Sequence, residues 1–427
     1  MKTMNAFSLF VLAALLLVFI GCATPQPHMM ATPLILKDER LDLISQVPAE
    51  RRTTKVPVFY ATTRQPVPAG EPGHYSNKPG EEGVQLGIAE VALGEPGWTF
   101  DDLMASDRTS SAEKPRPGRV ERIEVMGNVR TGEARTDAER NFVARINEQL
   151  SKASSPEVVL YVHGYRVTFD EVAVLMGSSS LYLGQGATVA FQWPTGQLFY
   201  DYSDCSKAEK YIPDIARLIE LLGHTKAEYI NMLAYSCGSP LLASALQQLR
   251  ARFPDEGRDQ LTKRFRIGSV IFAASDVDFK TFTRDDVPAI MDLAQQTTVY
   301  MSQRDTPLGI SGWLSGSSKI GRPDFADLAD KDIEQLAADR RLNGIDVADV
   351  PGAHKMGGSR GHGYWYANEW ISTDVLISLR YPLPPGKRCL VRDERYKKIW
   401  RLPGDYPDCV VNSLLKAHPE LRRATGL

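Results

Sequence analysis

The residues best placed to do chemistry in this 427-residue chain are a serine between small residues, a His-Gly pair before it, and three aspartates and two histidines after it. Ala234-x-Ser236-x-Gly238 directly follows the apolar run Ile230 to Leu233. It leads straight into Leu241-Leu-Ala-Ser-Ala-Leu-Gln-Gln-Leu249, which has helical spacing. Strand, small-x-Ser-x-Gly, helix is the layout of an elbow that lifts a serine hydroxyl clear of a sheet on a strained turn. Serine is also a favoured helix N-cap, so the pentapeptide by itself leaves two readings open. Acyl transfer from such a serine needs a base, a group that orients the base, and donors for the developing oxyanion.

The candidate base is His362 in Gly361-His-Gly-Tyr-Trp365, with His354 eight residues earlier as its competitor. A helix-like run from Trp370 to Leu379 beyond it favours His362. Asp305 is the leading acid, because the chain order Ser, acid, His places the acid after a later strand. Asp276 and Asp278, one strand earlier, are the alternatives, and capping a helix ahead of Phe279 would account for them equally well. His163-Gly164-Tyr165 ends an earlier apolar strand. Gly164 lets backbone come close, so the Tyr165 amide is one expected oxyanion donor and the Cys237 amide, at a helix N-terminus, the other. His163 reads as structural.

These residues need a frame. Strands are expected at Val56–Tyr60, Gln85–Leu93, Val158–Val162, Thr188–Gln192, the serine strand, Phe265–Ala274, Thr297–Ser302 and Ile345–Val350. Helices are expected at Thr136–Lys152, Thr168–Met176, Ala208–Leu222 and from the serine to Phe253. Gly94 to Gly132 reads as an irregular surface excursion, and the Gly/Ser-rich stretch after Asp305 as a loop. Apolar strands alternating with helices predict an α/β fold, with a mostly parallel sheet covered on both faces. Chemistry on such sheets sits at the carboxyl ends of the strands, where each polar cluster above falls.

With 50 Lys and Arg against 52 Asp and Glu, the net charge of −2 offers nothing to a polyanion, and no nucleic acid partner is expected. The ends of the chain point elsewhere. Met1-Lys2 precedes an almost unbroken apolar run from Ala6 to Ile20, too short to span a membrane and suited to a secretory signal. Phe19-Ile-Gly-Cys22 resembles the lipobox of bacterial lipoproteins. That resemblance implies cleavage before Cys22, acylation of Cys22, and a lipid anchor in the membrane; Ala23 after it implies sorting to the outer membrane, facing the periplasm. The expected organisation is a signal over residues 1–21, a tether over 22–50, the main domain over 51–380 and an extension over 381–427. Export permits disulfides, and Cys389 with Cys409 is the expected pair. Cys237 reads as a small apolar residue and Cys205 has no assigned role. No cysteine or histidine spacing predicts a metal site, and no cofactor is expected.

Several blocks together resemble one bacterial family of unknown function in the esterase/lipase superfamily, with the α/β-hydrolase fold. They are Val56-Pro-Val-Phe-Tyr-Ala-Thr-Thr-Arg64, Val162-His-Gly-Tyr165 with Phe169-Asp170, Phe191-Gln-Trp-Pro194 with Tyr200-Asp201, Ala234-Tyr-Ser-Cys-Gly238, Ala273-Ala-Ser-Asp-Val-Asp278, Tyr300-Met-Ser302 with Asp305, and Gly361-His362. The resemblance covers roughly Lys55 to Leu379 and implies nucleophile, acid and base roles for Ser236, Asp305 and His362. Two departures alter the pocket: Tyr235-Ser-Cys-Gly stands where the family has His-Ser-Met-Gly, and Arg304-Asp-Thr-Pro307 where it has Asn-Asp-Lys-Ala. The expectation is therefore an envelope-anchored serine hydrolase acting on esters or acyl lipids through an acyl-enzyme. The alternative is a lipoprotein that uses the same fold as a binding or scaffold domain.

Overall fold

The computed structural model describes residues 26–423 apart from 43–44, 46, 82, 111–113, 133–134, 154–155, 185, 198–202, 355–360, 382, 395 and 397. The signal segment, Cys22 and the Tyr200-Asp201 pair lie outside the described residues. In chain order the strands are β1 (Lys55–Thr62), β2 (Arg64–Pro66), β3 (Tyr75–Pro79), β4 (Val84–Leu93), β5 (Gly118–Val129), β6 (Val158–Val162), β7 (Ala187–Gln192), β8 (Ile230–Tyr235), β9 (Ile267–Ala273), β10 (Ala294–Met301), β11 (Leu342–Asp346), β12 (Val391–Arg392) and β13 (Ile399–Arg401). Eleven of them form one sheet in the order β12-β13-β11-β10-β9-β8-β6-β7-β1-β4-β5, while β2 and β3 make a separate ribbon. From β13 through β1 every neighbouring pair is parallel; β4, β5 and β12 add antiparallel edges.

The period of two along each strand divides the core into two layers. Leu160 and Val162 of β6 and Met232 and Ala234 of β8 pack on one face with Phe142, Ile215 and Leu242. Those three belong to helices α1 (Asp137–Lys152), α3 (Ile212–Leu222) and α4 (Gly238–Ala251). Val159, Tyr161, Leu233 and Tyr235 face the other way, against Phe169, Ile371 and Val375. These come from α2 (Phe169–Tyr182) and α6 (Glu369–Arg380). Thr136 and Thr168 open α1 and α2 with reciprocal capping boxes to Glu139 and Glu171, which fixes where each helix starts. This is the α/β-hydrolase architecture, with helices on both faces of a mostly parallel sheet.

Five segments differ from the expectations. Gly94 to Gly132 carries a helix (Phe100–Asp107) and the long strand β5. Two register shifts against β4 break its alternation, and one of its faces meets solvent, so no clean period of two is legible. The run after Asp305 forms helix α5 (Thr306–Ser315), opened by the Asp305 carboxylate as N-cap and by Pro307 in its first turn. The strand expected at Ile345–Val350 is β11, which starts three residues earlier and ends at Asp346.

Residues 26–42, expected to be part of a tether, are instead packed on the domain. Met29 and Met30 are buried, the Ala31 amide donates to the Tyr366 carbonyl, and Arg116 bridges Asp107, Tyr182 and the Thr32 hydroxyl. Methionines at 29 and 30 supply the apolar surface that a free tether lacks.

The C-terminal segment, finally, is part of the same body. It adds β12 and β13 to the sheet, and helix α7 (Tyr406–Ala417) buries Tyr406 and Val411 beside Leu41. Arg388 reaches into the core, where its Nη1 donates to Asp374 Oδ2 at 2.5 Å and Tyr300 Oη donates to the same oxygen at 2.7 Å. Cys389 and Cys409 form a disulfide that ties the segment to itself.

One buried acid gives a pH dependence away from the sheet edge. Burial, reinforced by the neighbouring Asp285 charge, pushes the Asp286 carboxyl from 3.8 up to about 7, with Gln247 Nε2 donating to it at 2.6 Å. The folded state then holds a proton that the unfolded state has lost, so stability falls as pH rises from about 4 to 7 and is level above that. The span is worth up to about 4 kcal/mol. Asp286→Asn should remove this slope: urea unfolding at pH 5 and pH 8 should show the variant gaining clearly more on the parent at pH 8 than at pH 5. An equal offset at both values would mean that Asp286 is charged in the fold.

Candidate active site

β8 ends at Tyr235, and Ser236 takes a left-handed backbone conformation, φ 52°, before α4 begins at Gly238. A non-glycine residue there carries strain, and the surrounding packing is what holds it. A Cβ on Gly238 would lie 2.3 Å from the His163 carbonyl oxygen, and one on Gly164 would lie 2.8 Å from Ser236 Cβ. Both glycines therefore let the β6 loop and the elbow close against each other. The Ser236 amide donates to Ala273 O of the next strand, and the Asp276 amide donates back to Ser236 O, so β9 and the turn after it clamp the elbow.

Ser236 Oγ and His362 Nε2 are 2.7 Å apart, and His362 Nδ1 lies 2.7 Å from Asp305 Oδ2. A carboxylate only accepts, so the imidazole carries its proton on Nδ1, and the serine O–H donates to Nε2. Asp305 is fully buried. Its second oxygen accepts from the Leu308 amide at 3.0 Å, so one carboxylate both orients the ring and caps α5. Gly361, φ 82°, turns the chain tightly past the Arg304 carbonyl to deliver His362. Tyr364 then locks the loop: its hydroxyl donates to Tyr300 O and accepts from the Ala274 amide, each at 2.8 Å. The Tyr235 ring lies 5.2 Å from the His362 ring.

The competing residues stand elsewhere. Asp276 Oδ1 accepts from Ser311 Oγ at 2.6 Å, and Asp278 caps the turn at Phe279–Thr281 by accepting from the Thr281 amide. His354 is exposed on a turn. His163 is buried and stacked on Trp193; burial holds its ring neutral, well below the usual histidine range, and Arg64 adds to the effect. Its Nδ1 donates to Gly164 O at 2.7 Å and its Nε2 accepts the Trp193 amide at 3.1 Å. The ring thus splints the loop that carries Tyr165. Among the described residues, no three His, Cys, Asp or Glu side chains converge as metal ligands.

Two features were not anticipated. Arg64 is fully buried beneath the loop, where its Nη2 donates to Val167 O at 2.8 Å and its Nη1 to Asn77 Oδ1 at 2.6 Å. Burial brings its guanidinium down to about 9. Its place in Ala61-Thr-Thr-Arg64, two residues past the end of β1, was the only signal that it packs under this loop. The second is a correction: Cys237 is not a free apolar filler but is bonded to Cys205, which lies 32 positions earlier. The cross-link fastens the turn around Cys205 to the residue after Ser236. The two residues are too far apart in sequence for spacing to suggest the pair.

By the loop-closure argument the Cys205–Cys237 bridge stabilises the fold by roughly 3–4 kcal/mol. Cys205→Ser should therefore lower the urea unfolding free energy by about 3 kcal/mol. A loss below about 1 kcal/mol would show that the elbow is held without it.

The family of alpha/beta hydrolases of unknown function, DUF900, matches residues 138–380. The matched span holds β6 through β11, the elbow, Asp305 and His362. Comparison with curated proteins gives no match.

Proposed function

Because the chain belongs to the DUF900 family of alpha/beta hydrolases, and because Ser236, His362 and Asp305 form a continuous hydrogen-bonded chain at the carboxyl ends of its strands, we propose that it is a serine hydrolase of carboxylic esters. The hydrogen-bonded chain is the observation that carries the reading. Ser236 Oγ attacks the ester carbonyl carbon as its proton passes to His362 Nε2. Asp305 Oδ2 holds the Nδ1 proton and stabilises the imidazolium that forms. The oxyanion would be met by the amides of Tyr165 and Cys237. The close approach of Gly164 to Ser236 and the position of Cys237 at the N-terminus of α4 support that assignment. The imidazolium then gives its proton to the leaving alkoxide, an acyl-serine forms, and water releases the acid by the reverse proton path.

The same proposal places the enzyme in the bacterial envelope, anchored through Cys22 and sorted to the outer membrane, facing the periplasm. Two disulfides support a site of action outside the reducing cytoplasm. Among the described residues no helix is long and apolar enough to cross a membrane. The substrate would be an ester or acyl lipid.

A fluorophosphonate probe tests the reading, because it bonds only to an activated serine. Labelling of the full chain that maps to the Ser236 peptide and is absent in His362→Ala is the expected result. Absence of labelling in the folded parent would return the scaffold reading.

A further inference from the structure

Helix α5 is an anomaly on the surface. It contains no charged residue, and Ile310, Trp313 and Leu314 are 41 %, 80 % and 67 % exposed. Their i, i+3, i+4 spacing puts them on one face. The helix is neither remote nor loosely attached. It begins at Asp305, whose carboxylate is also the partner of His362, and Ser311 on its inner side donates to Asp276, whose amide donates to Ser236 O. Leu314 and Cys237 line one open cleft of about 770 Å³. Leu314 thus reaches a cleft beside the elbow, while Trp313 lines a separate cleft on another side of the helix.

On the opposite flank, the first described residues enter beside the elbow. His28, Met29 and Met30 line a cavity of about 320 Å³ together with Tyr235 and Tyr366. Cys22 is six residues before His28, and a chain of that length reaches at most roughly 22 Å. An acyl anchor on Cys22 would hold that flank of the site within this distance of a bilayer, and α5 lies on the same carboxyl edge of the sheet. Three side chains are far too little area for a stable protein interface, which needs on the order of 1,000 Å². They are sufficient to seat an already tethered protein, because Trp with aliphatic neighbours on an uncharged helix favours the headgroup boundary of a lipid bilayer.

We infer that the Ile310, Trp313, Leu314 face of α5 docks on the lipid surface and turns the carboxyl edge of the sheet that carries Ser236 toward it, so that the substrates are esters presented by the bilayer. This rests on the anchored-hydrolase reading above. With the membrane as occupant, that edge lies at the interface, where the carbonyl of an acyl lipid lies, and a substrate need not leave the bilayer completely to reach Ser236.

The test uses the full chain with phosphatidylcholine vesicles containing brominated acyl chains, which quench tryptophan on contact. Quenching in the parent that disappears in Trp313→Phe supports docking. Identical behaviour of the two proteins, whether both are quenched or neither is, overturns it. A second variant, Ile310→Asp with Trp313→Asp, should hydrolyse a soluble p-nitrophenyl ester within about twofold of the parent while losing about tenfold or more on an ester embedded in vesicles. Equal losses on both substrates overturn the docking role. Failure of the parent to cleave the soluble ester overturns the hydrolase reading instead, and quenching still decides docking by itself. The mass of the N-terminal peptide reports acylation of Cys22 separately.

Discussion

Ser236→Ala and His362→Ala each lower kcat toward a p-nitrophenyl ester by at least about 10⁴-fold, and the double variant is no slower than either single one. The expectation follows from geometry. With Oγ 2.7 Å from Nε2, the serine is a nucleophile only while the imidazole can receive its proton, so the two side chains fail together. Asp305→Asn should cost about 10³–10⁴-fold, because an amide in place of the carboxylate favours the wrong imidazole tautomer. The same substitution should leave stability nearly intact, since asparagine also caps helices and can still accept from the Leu308 amide. Steady-state kinetics beside circular dichroism reads both quantities. More than a tenth of parental turnover in Ser236→Ala would remove it from the reaction.

The largest stability effect is expected in the core, away from the chemistry. Asp374→Ala or Arg388→Ala should each cost about 3–5 kcal/mol, because each strands a charge that has no water to turn to. Both side chains are fully buried, and the Tyr300 hydroxyl shares the Asp374 oxygen that Arg388 holds. Replacing both with apolar residues of similar volume, Asp374→Leu with Arg388→Met, should recover most of the loss. Urea unfolding of the two single variants and the double one measures this directly. Additive losses in the double variant would show that the pair acts as two independent contacts.

Much of the fold was legible where burial is strong. β6, β8 and β9 are buried throughout and mostly apolar, because both faces of a parallel sheet are covered, and their limits fall close to the expected ones. Ser236, Asp305 and His362 were legible because each ends a strand or lies in the loop after one, and strand ends are marked by an abrupt change from apolar to polar residues. What failed depends on long-range pairing. β5 is held by hydrogen bonds to β4 rather than by its own pattern. β13 is three residues long, and its place at the sheet edge is set by β11. The Cys205–Cys237 bond brings together two residues with no shared local signal, and α5 has too many glycines and serines to read as a helix without its cap and proline.

The ends of the described chain have a consequence for how the protein is made. Leu41 forms a bridge with Arg422, the Asp42 amide donates to Leu421 O, and the Arg423 amide donates to Arg40 O. Segments 381 positions apart in the sequence, Leu41 and Arg422, thus close on one another. A chain emerging from a ribosome or a translocation channel cannot complete this clasp until Arg423 is free. Contacts so far apart in sequence make it a late step of folding. Until then Leu41, which packs with Tyr406, Val410 and Val411, has no settled place, and the half-made protein presents it to the machinery that escorts it. Loss of Leu421 to Arg423 would remove these backbone contacts of Arg40, Leu41 and Asp42.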